Sequence, residues 1–317
     1  MTRTKNGNLL VIKSRGVIET VCFIILNYNG FGETKQLVDS IRVWNRELLD
    51  FHVIVVDNCS PDGSYEKLRI EFAHSDVVDV ICSEKNGGYS YGNNYGIKFA
   101  IENYEPEYLA IANPDIEVDE NTVIQLLETF KNERIAMVSP VMKSVNGECR
   151  LVSYKLPSFF DDLRACWKDT DPKNVVYSGF PTITGEPNLI LTEMLPGSFF
   201  VVRTSAFQEA NLFDERVFLF CEERIIGKRM KQLGYSLAFR KDLSYVHAHS
   251  VTIRRAMDTV KIWKTIWSSR FYYQVAYNHI GAAKQLLLLI NSKIFILRLM
   301  VALMLHEWKT RITGESF

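Results

Sequence analysis

This sequence carries no excess of either charge: 37 Lys and Arg stand against 37 Asp and Glu. That balance argues against a broad basic surface for nucleic acid. Paired cysteines are also missing. Cys22, Cys59, Cys82, Cys149, Cys166 and Cys221 show neither Cys-x-x-Cys nor zinc-like spacing, so they read as reduced thiols of a cytosolic protein. No segment offers the roughly 18 uncharged apolar residues of a membrane-crossing helix. The apolar "VCFIIL" follows Arg3, Lys5, Lys13 and Arg15 but is short and lacks a small-residue cleavage site, so no signal peptide is expected. What is present is ordinary: 317 residues, 47% hydrophobic and 23% charged. That fits one large domain, or one with an appendage.

The first half alternates strand-like and helix-like segments. "VCFIIL" (21–26) suits a buried strand, and Leu37, Val38, Ile41, Trp44 and Leu48 form a helical stripe after it. "HVIVV" (52–56) is the clearest strand, closed by the turn-rich "DNCSPDGS". A helix with Tyr65, Leu68 and Phe72, a strand "VVDVI" (77–81), a helix opened by Gly87, Gly88 and Gly92, and a strand "YLAIA" (108–112) follow. Val123, Leu126, Leu127 and Phe130 line the next helix. Such alternation predicts an α/β fold with a mostly parallel sheet covered on both faces, its ligands bound beyond the carboxyl ends of the strands.

Residues 143–195 lose this periodicity, and order returns with "GSFFVV" (197–202), a helix from about Ser205, and "EERIIGKRMKQLGY". There Ile225, Ile226, Met230 and Leu233 follow helical spacing, and Gly234 reads as a C-terminal cap. The tail is rich in Trp, Tyr, Leu, Lys and Arg, with Lys284, Asn291 and Arg298 on one heptad stripe and Lys293 nearly opposite. It reads as helical, packing on the domain or on a second copy in a homodimer. Alternatively it lies on a membrane surface with its Lys and Arg reaching headgroups. The expected organisation is an extension (1–19), a first half (20–142), a second half (143–256) and a helical extension (257–317).

Four stretches carry the chemistry: "ILNYNG" (25–30), "VVDNCSPDGS" (55–64), "SEKNGGYSYGNNYGIKFA" (83–100) and "LAIANPDIEVD" (109–119). With "GSFFVVRTSAFQEANLFDERVFLFCEERIIGKRMKQLGY" and "VHAHS", they resemble family 2 inverting glycosyltransferases of the GT-A fold, notably the rhamnosyltransferase-like branch of bacterial surface polysaccharide synthesis. The likeness covers roughly residues 20–250 and is specific in combination.

Residue chemistry fits that likeness. Asp57 at a strand end offers a nucleotide base an acceptor, framed by Asn27, Tyr28 and Asn29; on its own it would read as the start of an Asx-turn. Asn86, Gly87 and Asn93 in the glycine-rich loop and Asn113 complete the nucleotide-sugar set. The loop is not a G-x-G-x-x-G fingerprint. The resemblance places Asp115 at the last carboxylate of a metal motif and suggests His247 as a further ligand, with His249 a weaker candidate. Mg²⁺ or Mn²⁺ is the implied ion, neutralising the departing diphosphate. Gly197 and Ser198 fall at the acceptor side.

The family's acidic pair corresponds to Glu222 and Glu223, with Glu223 at the position of the Asp that acts as base. Both glutamates also suit a helix N-terminus. A further acidic position of the family is here Ile225. These two departures leave open a non-catalytic scaffold subunit of a polysaccharide assembly complex. A sugar-1-phosphate nucleotidyltransferase would need a basic phosphate loop where this chain has "NYNGFGE", and a glycoside hydrolase would not explain the nucleotide-type strand ends. The implied partners are a dTDP- or UDP-sugar donor, a lipid-linked glycan acceptor and the inner face of the cell membrane, reached through the C-terminal helices.

Overall fold

The computed structural model describes residues 20–150, 155–167, 182–183, 186–248 and 258–313. The 1–19 extension and His249 lie outside the described residues. Four parallel strands open the fold: β1 (Thr20–Asn27), β2 (Asp50–Asp57), β3 (Val78–Cys82) and β4 (Tyr108–Ala112), ordered β3-β2-β1-β4. Their apolar runs are continuous because both faces are covered. Val21, Phe23 and Ile25 pack with α1 (Phe31–Ile41), α2 (Ser64–Glu71) and α4 (Glu120–Leu127). Cys22 and Ile24, on the other face, meet Ile97 and Ala100 of α3 (Gly88–Tyr104).

The sheet continues beyond β4 but changes character. β10 (Phe199–Arg203) runs antiparallel between β4 and β6 (Ile135–Lys143). β11 (Ser236–His247) is parallel to β6 and antiparallel to β9 (Glu186–Thr192). The short strands β7 (Cys149–Arg150) and β8 (Thr182–Ile183) pair with β6 and β9. The parallel arrangement read from the first half therefore holds for four strands, and the rest of the sheet is mixed.

Three local expectations are corrected. The first stripe ends at Ile41 rather than reaching Leu48, because the Asn45 carbonyl takes the N–H groups of Leu48 and Leu49 in a turn. The third strand is one residue later than read. The stretch read as irregular contains α5 (Phe159–Ala165), whose start is fixed by a reciprocal Ser158–Asp161 capping box, and β9. After α6 (Thr204–Glu209) comes α7 (Glu222–Gln232), closed by Gly234 at φ +84° as read.

The tail forms α8 (Thr259–Ala276) and α9 (Ala282–Thr313). Within α9, Ala282–Leu305 is long and apolar enough to cross a membrane, with mean hydropathy 2.1. Lys284, Lys293 and Arg298 interrupt this span, so it contains no uncharged run of 18 residues. The stripe of Lys284, Asn291 and Arg298 does not project away from the protein: Lys284 lies over the rings of Phe159 and Phe160, Asn291 accepts from the Trp167 indole at 2.7 Å, and Arg298 covers Trp167. Leu286, Leu287, Ile290, Leu297, Val301, Met304 and Leu305 are left exposed.

Candidate active site

A cleft of about 900 Å³ opens beyond the carboxyl ends of the parallel strands, at the upper end of ordinary ligand pockets. Its floor is made by Tyr28 after β1, Asn58 after β2, Asn86 and Gly88 at the start of α3, and Asn113, Pro114 and Asp115 after β4. Loop residues Arg216 to Leu219 and the α8 residues Lys261, Lys264, Thr265, Ser268, Ser269 and Tyr272 close the other side.

Asp57 and Asn27 lie beneath this floor, fully buried. Asn27 donates to Asp57 at 2.6 Å and to Ser64 at 3.0 Å, and Asp57 also accepts from Ser64 and from the backbone N–H of Ser60. The carboxylate is thus an Asx-turn acceptor and a brace between two strand ends. Asn29 sits at φ 54°, its N–H on the Ser60 hydroxyl. The cleft wall itself carries Asn58, which sequence reasoning passed over; its amide spans Asn86, the Gly88 carbonyl and the Ser83 hydroxyl.

The glycines of α3 bring protein close to protein. A Cβ at Gly88 (φ +85°) would lie 1.9 Å from the Phe218 carbonyl oxygen, and one at Gly92 would meet Leu26 at 2.3 Å. Gly87 is backed by the Tyr91 ring, and Asn93 is buried with its amide on the Tyr89 carbonyl.

Asp115 and His247 are brought together by β-pairing. A short strand, β5 (Ile116–Glu117), runs antiparallel to the end of β11, with His247 opposite Ile116. Asp115 Oδ1 then lies 3.2 Å from His247 Nε2, and both line the cleft. Among the described residues no three His, Cys, Asp or Glu converge into a cation-binding group, here or elsewhere, so the pair offers two protein ligands. One carboxylate and one imidazole suit an ion that takes its remaining ligands from phosphate oxygens and water.

The acidic pair opens α7 directly after Phe220 and Cys221, both at left-handed φ (68° and 67°). Two such non-glycine residues cost about 1–3 kcal/mol each, a strain that here fixes the direction of the helix start. Glu222 is buried with Oε2 unpartnered, and burial followed by the charge of Glu223 pushes its carboxyl well above the usual range. Burial also raises Glu223, while backbone hydrogen bonds and Arg224 oppose the rise. Glu222, Glu223, Gly197 and Ser198 are not among the residues that line the cleft; Gly197 joins the pair to Tyr89, which does line it. The Gly197 carbonyl accepts the Tyr89 hydroxyl at 2.6 Å, and a Cβ there would lie 3.2 Å from Glu223 Oε1. Burial and then the charges of Glu222 and Glu223 push the Tyr89 phenol up. Ser198 ties the same corner to Tyr245 through its hydroxyl and to the Asn113 N–H through its carbonyl.

Ile225 is buried against Val217 and Tyr273, so its apolar side chain belongs to the contact between α7 and α8. Nearby, buried Asp162 accepts from Arg224 at 2.9 Å and Gln274 at 2.7 Å, joining α5, α7 and α8.

The model of the family described as "Glycosyl transferase family 2" matches residues 22–209. A low-salt glycan biosynthesis hexosyltransferase of Haloferax volcanii is 25% identical over 251 residues, covering 78% of this chain and 73% of its own. An N-acetylglucosaminyl-diphospho-decaprenol L-rhamnosyltransferase of Mycobacterium tuberculosis is 25% identical over 209 residues, covering 62% and 67%. Among solved structures, a Pyrobaculum calidifontis mannosyltransferase in complex with GDP-Man and Mn²⁺ superposes with a TM-score of 0.52 at 16% identity, covering 95% of this chain and 82% of that one.

Proposed function

This chain belongs to glycosyl transferase family 2, and from that premise we propose that it moves a sugar from a nucleoside diphosphate-sugar to a hydroxyl of a lipid-linked glycan, with inversion. The observation that carries this reading is the Asp115–His247 pair at the floor of the cleft. A carboxylate and an imidazole 3.2 Å apart fit a divalent cation, Mn²⁺ or Mg²⁺, which when bound would offset the charge gathering on the departing diphosphate.

The chain's own residues do the remaining work. Tyr28, Asn58, Asn86 and Asn113 line the donor side, braced from below by Asn27 and Asp57. The acceptor hydroxyl meets the corner of Gly197, Ser198 and Tyr89. As its oxygen bonds to the anomeric carbon, the bond to the diphosphate breaks and the proton passes to a glutamate carboxylate, Glu223 being the one nearest Gly197. The 20–142 half thus serves the donor and the 143–256 half the acceptor. We place the enzyme at the inner face of the membrane, α9 lying on it through its exposed leucines. Relatives named as rhamnosyltransferases favour rhamnose, carried by dTDP, with UDP-sugars the alternative.

The test is donor turnover. With Mn²⁺ and a panel of dTDP- and UDP-sugars, the protein should hydrolyse or transfer one of them. Asp115→Ala and His247→Ala should each cost roughly 10²–10³-fold with the fold intact. No turnover of any donor by the unmodified protein would favour the scaffold reading.

A further inference from the structure

α8 presents two different faces. Lys261, Lys264, Thr265, Ser268 and Tyr272 follow one another at helical spacing and line the cleft. Trp263 and Trp267, on the other side, pack on Phe295 of α9 at ring distances of 4.8 and 5.5 Å. The helix therefore separates the cleft from the apolar C-terminal helix. It also lies beyond the 22–209 span matched by the family model.

The two lysines are exposed and have no ion pair among the described residues. Among the described residues the same cleft holds a single carboxylate, Asp115, itself against His247. Arg216, the other Lys or Arg among the described lining residues, is held in a two-pronged pair with Asp214. The side of the cleft walled by α8 thus keeps two uncommitted positive charges, one helical turn apart, with apolar Val217, Phe218 and Leu219 beside them. Two ammonium groups next to apolar side chains match a diphosphate that continues into a hydrocarbon, and α9 with its exposed leucines lies directly behind.

We propose that Lys261 and Lys264 form a binding site for the diphosphate of a prenyl-diphosphate-linked acceptor, separate from the donor diphosphate at Asp115 and His247. The assignment rests on the lipid-linked acceptor proposed above. No bond is made or broken there: the lysines hold the acceptor's anionic group so that its sugar reaches the Gly197 corner.

Farnesyl diphosphate is a suitable probe, with calorimetric binding measured on the full chain in Mn²⁺ and saturating UDP or dTDP. The unmodified protein should bind it with nucleotide present. The Lys261→Ala/Lys264→Ala variant should bind it more weakly by on the order of tenfold per lysine, and its nucleotide affinity should stay level. Lys261→Arg/Lys264→Arg should restore binding. Displacement of the probe by nucleotide, a matching loss of nucleotide affinity, or probe binding indifferent to both substitutions would each overturn the assignment. Donor hydrolysis by the same samples reads the glycosyltransferase function separately, so a failed lysine site leaves that reading standing.

Discussion

The Tyr272 hydroxyl donates to the Asp214 carboxylate at 2.7 Å, tying α8 to the loop that precedes α7. Tyr277 donates to the same oxygen at 2.6 Å, and Arg216 grips the carboxylate with two nitrogens. These donors outweigh the desolvation of Asp214 and hold its carboxyl far below the usual range. A depressed pKa contributes stability that is full above the unfolded value, about 3.9, and is lost as pH falls toward the folded one. Tyr272→Phe/Tyr277→Phe should lower stability at pH 7 by about 1–3 kcal/mol per bond lost, and the deficit should shrink in acid. Urea denaturation at pH 7 and pH 3 reads both.

Glu222 has the opposite sign. Its folded pKa lies well above the unfolded carboxylate value, so its contribution to stability is present in acid and is lost as pH rises through the folded value. Glu222→Gln should match the unmodified protein near pH 4 and melt higher at pH 8. A thermal-melt difference that does not widen with pH would rule out burial of a protonated carboxyl there.

A base must be ionised before it takes a proton, so the raised pKa of Glu223 in the free enzyme sets an acid limb in the pH profile of kcat/KM, shifted upward from that of an ordinary carboxylate. Glu223→Gln should lower kcat by about 10²–10⁴-fold and abolish that limb. If the limb persisted in Glu223→Gln and vanished in Glu222→Gln, the neighbouring glutamate would be the base.

Gly88→Ala meets two obstacles together. Left-handed backbone costs alanine roughly 1–2 kcal/mol, and the new methyl would collide with the Phe218 carbonyl. The loop carrying Phe218 must then move, so nucleotide affinity and melting temperature should fall together. Gly63→Ala, also at positive φ but in open space, should lose stability alone.

Leu286 and Leu297 are 59% and 62% exposed on α9, so charging them disturbs no packed core. Leu286→Glu/Leu297→Glu should leave the melting temperature unchanged and sharply reduce co-sedimentation with anionic phospholipid vesicles. Undiminished sedimentation would remove the membrane from the proposed setting.

Much of the N-terminal half was readable because its signals are local. Apolar runs of five or six residues closed by Asn, Asp and Gly mark β1, β2 and β4, and they put Asp115 just past the end of β4. What escaped depends on distant pairing. Asn94 bonds the Phe213 backbone 119 residues away, and nothing in its own helix distinguishes it from Asn93. The role of α8 was hidden for a different reason. Its cleft face and its α9 face interleave along one helix, so Lys, Trp and Tyr fall all round it and no single stripe stands out.

Ile225 and Val217, buried by Tyr273, show that the unit that folds is longer than the unit that bears the family likeness. A fragment ending at residue 257 would keep every strand of the sheet. It would also turn both side chains toward water, leave Asp214 without its two phenols, and leave Asp162 without the Gln274 amide that helps Arg224 neutralise it. Such a fragment would be sticky as well as inactive, and its failure would say nothing about the chemistry of Asp115.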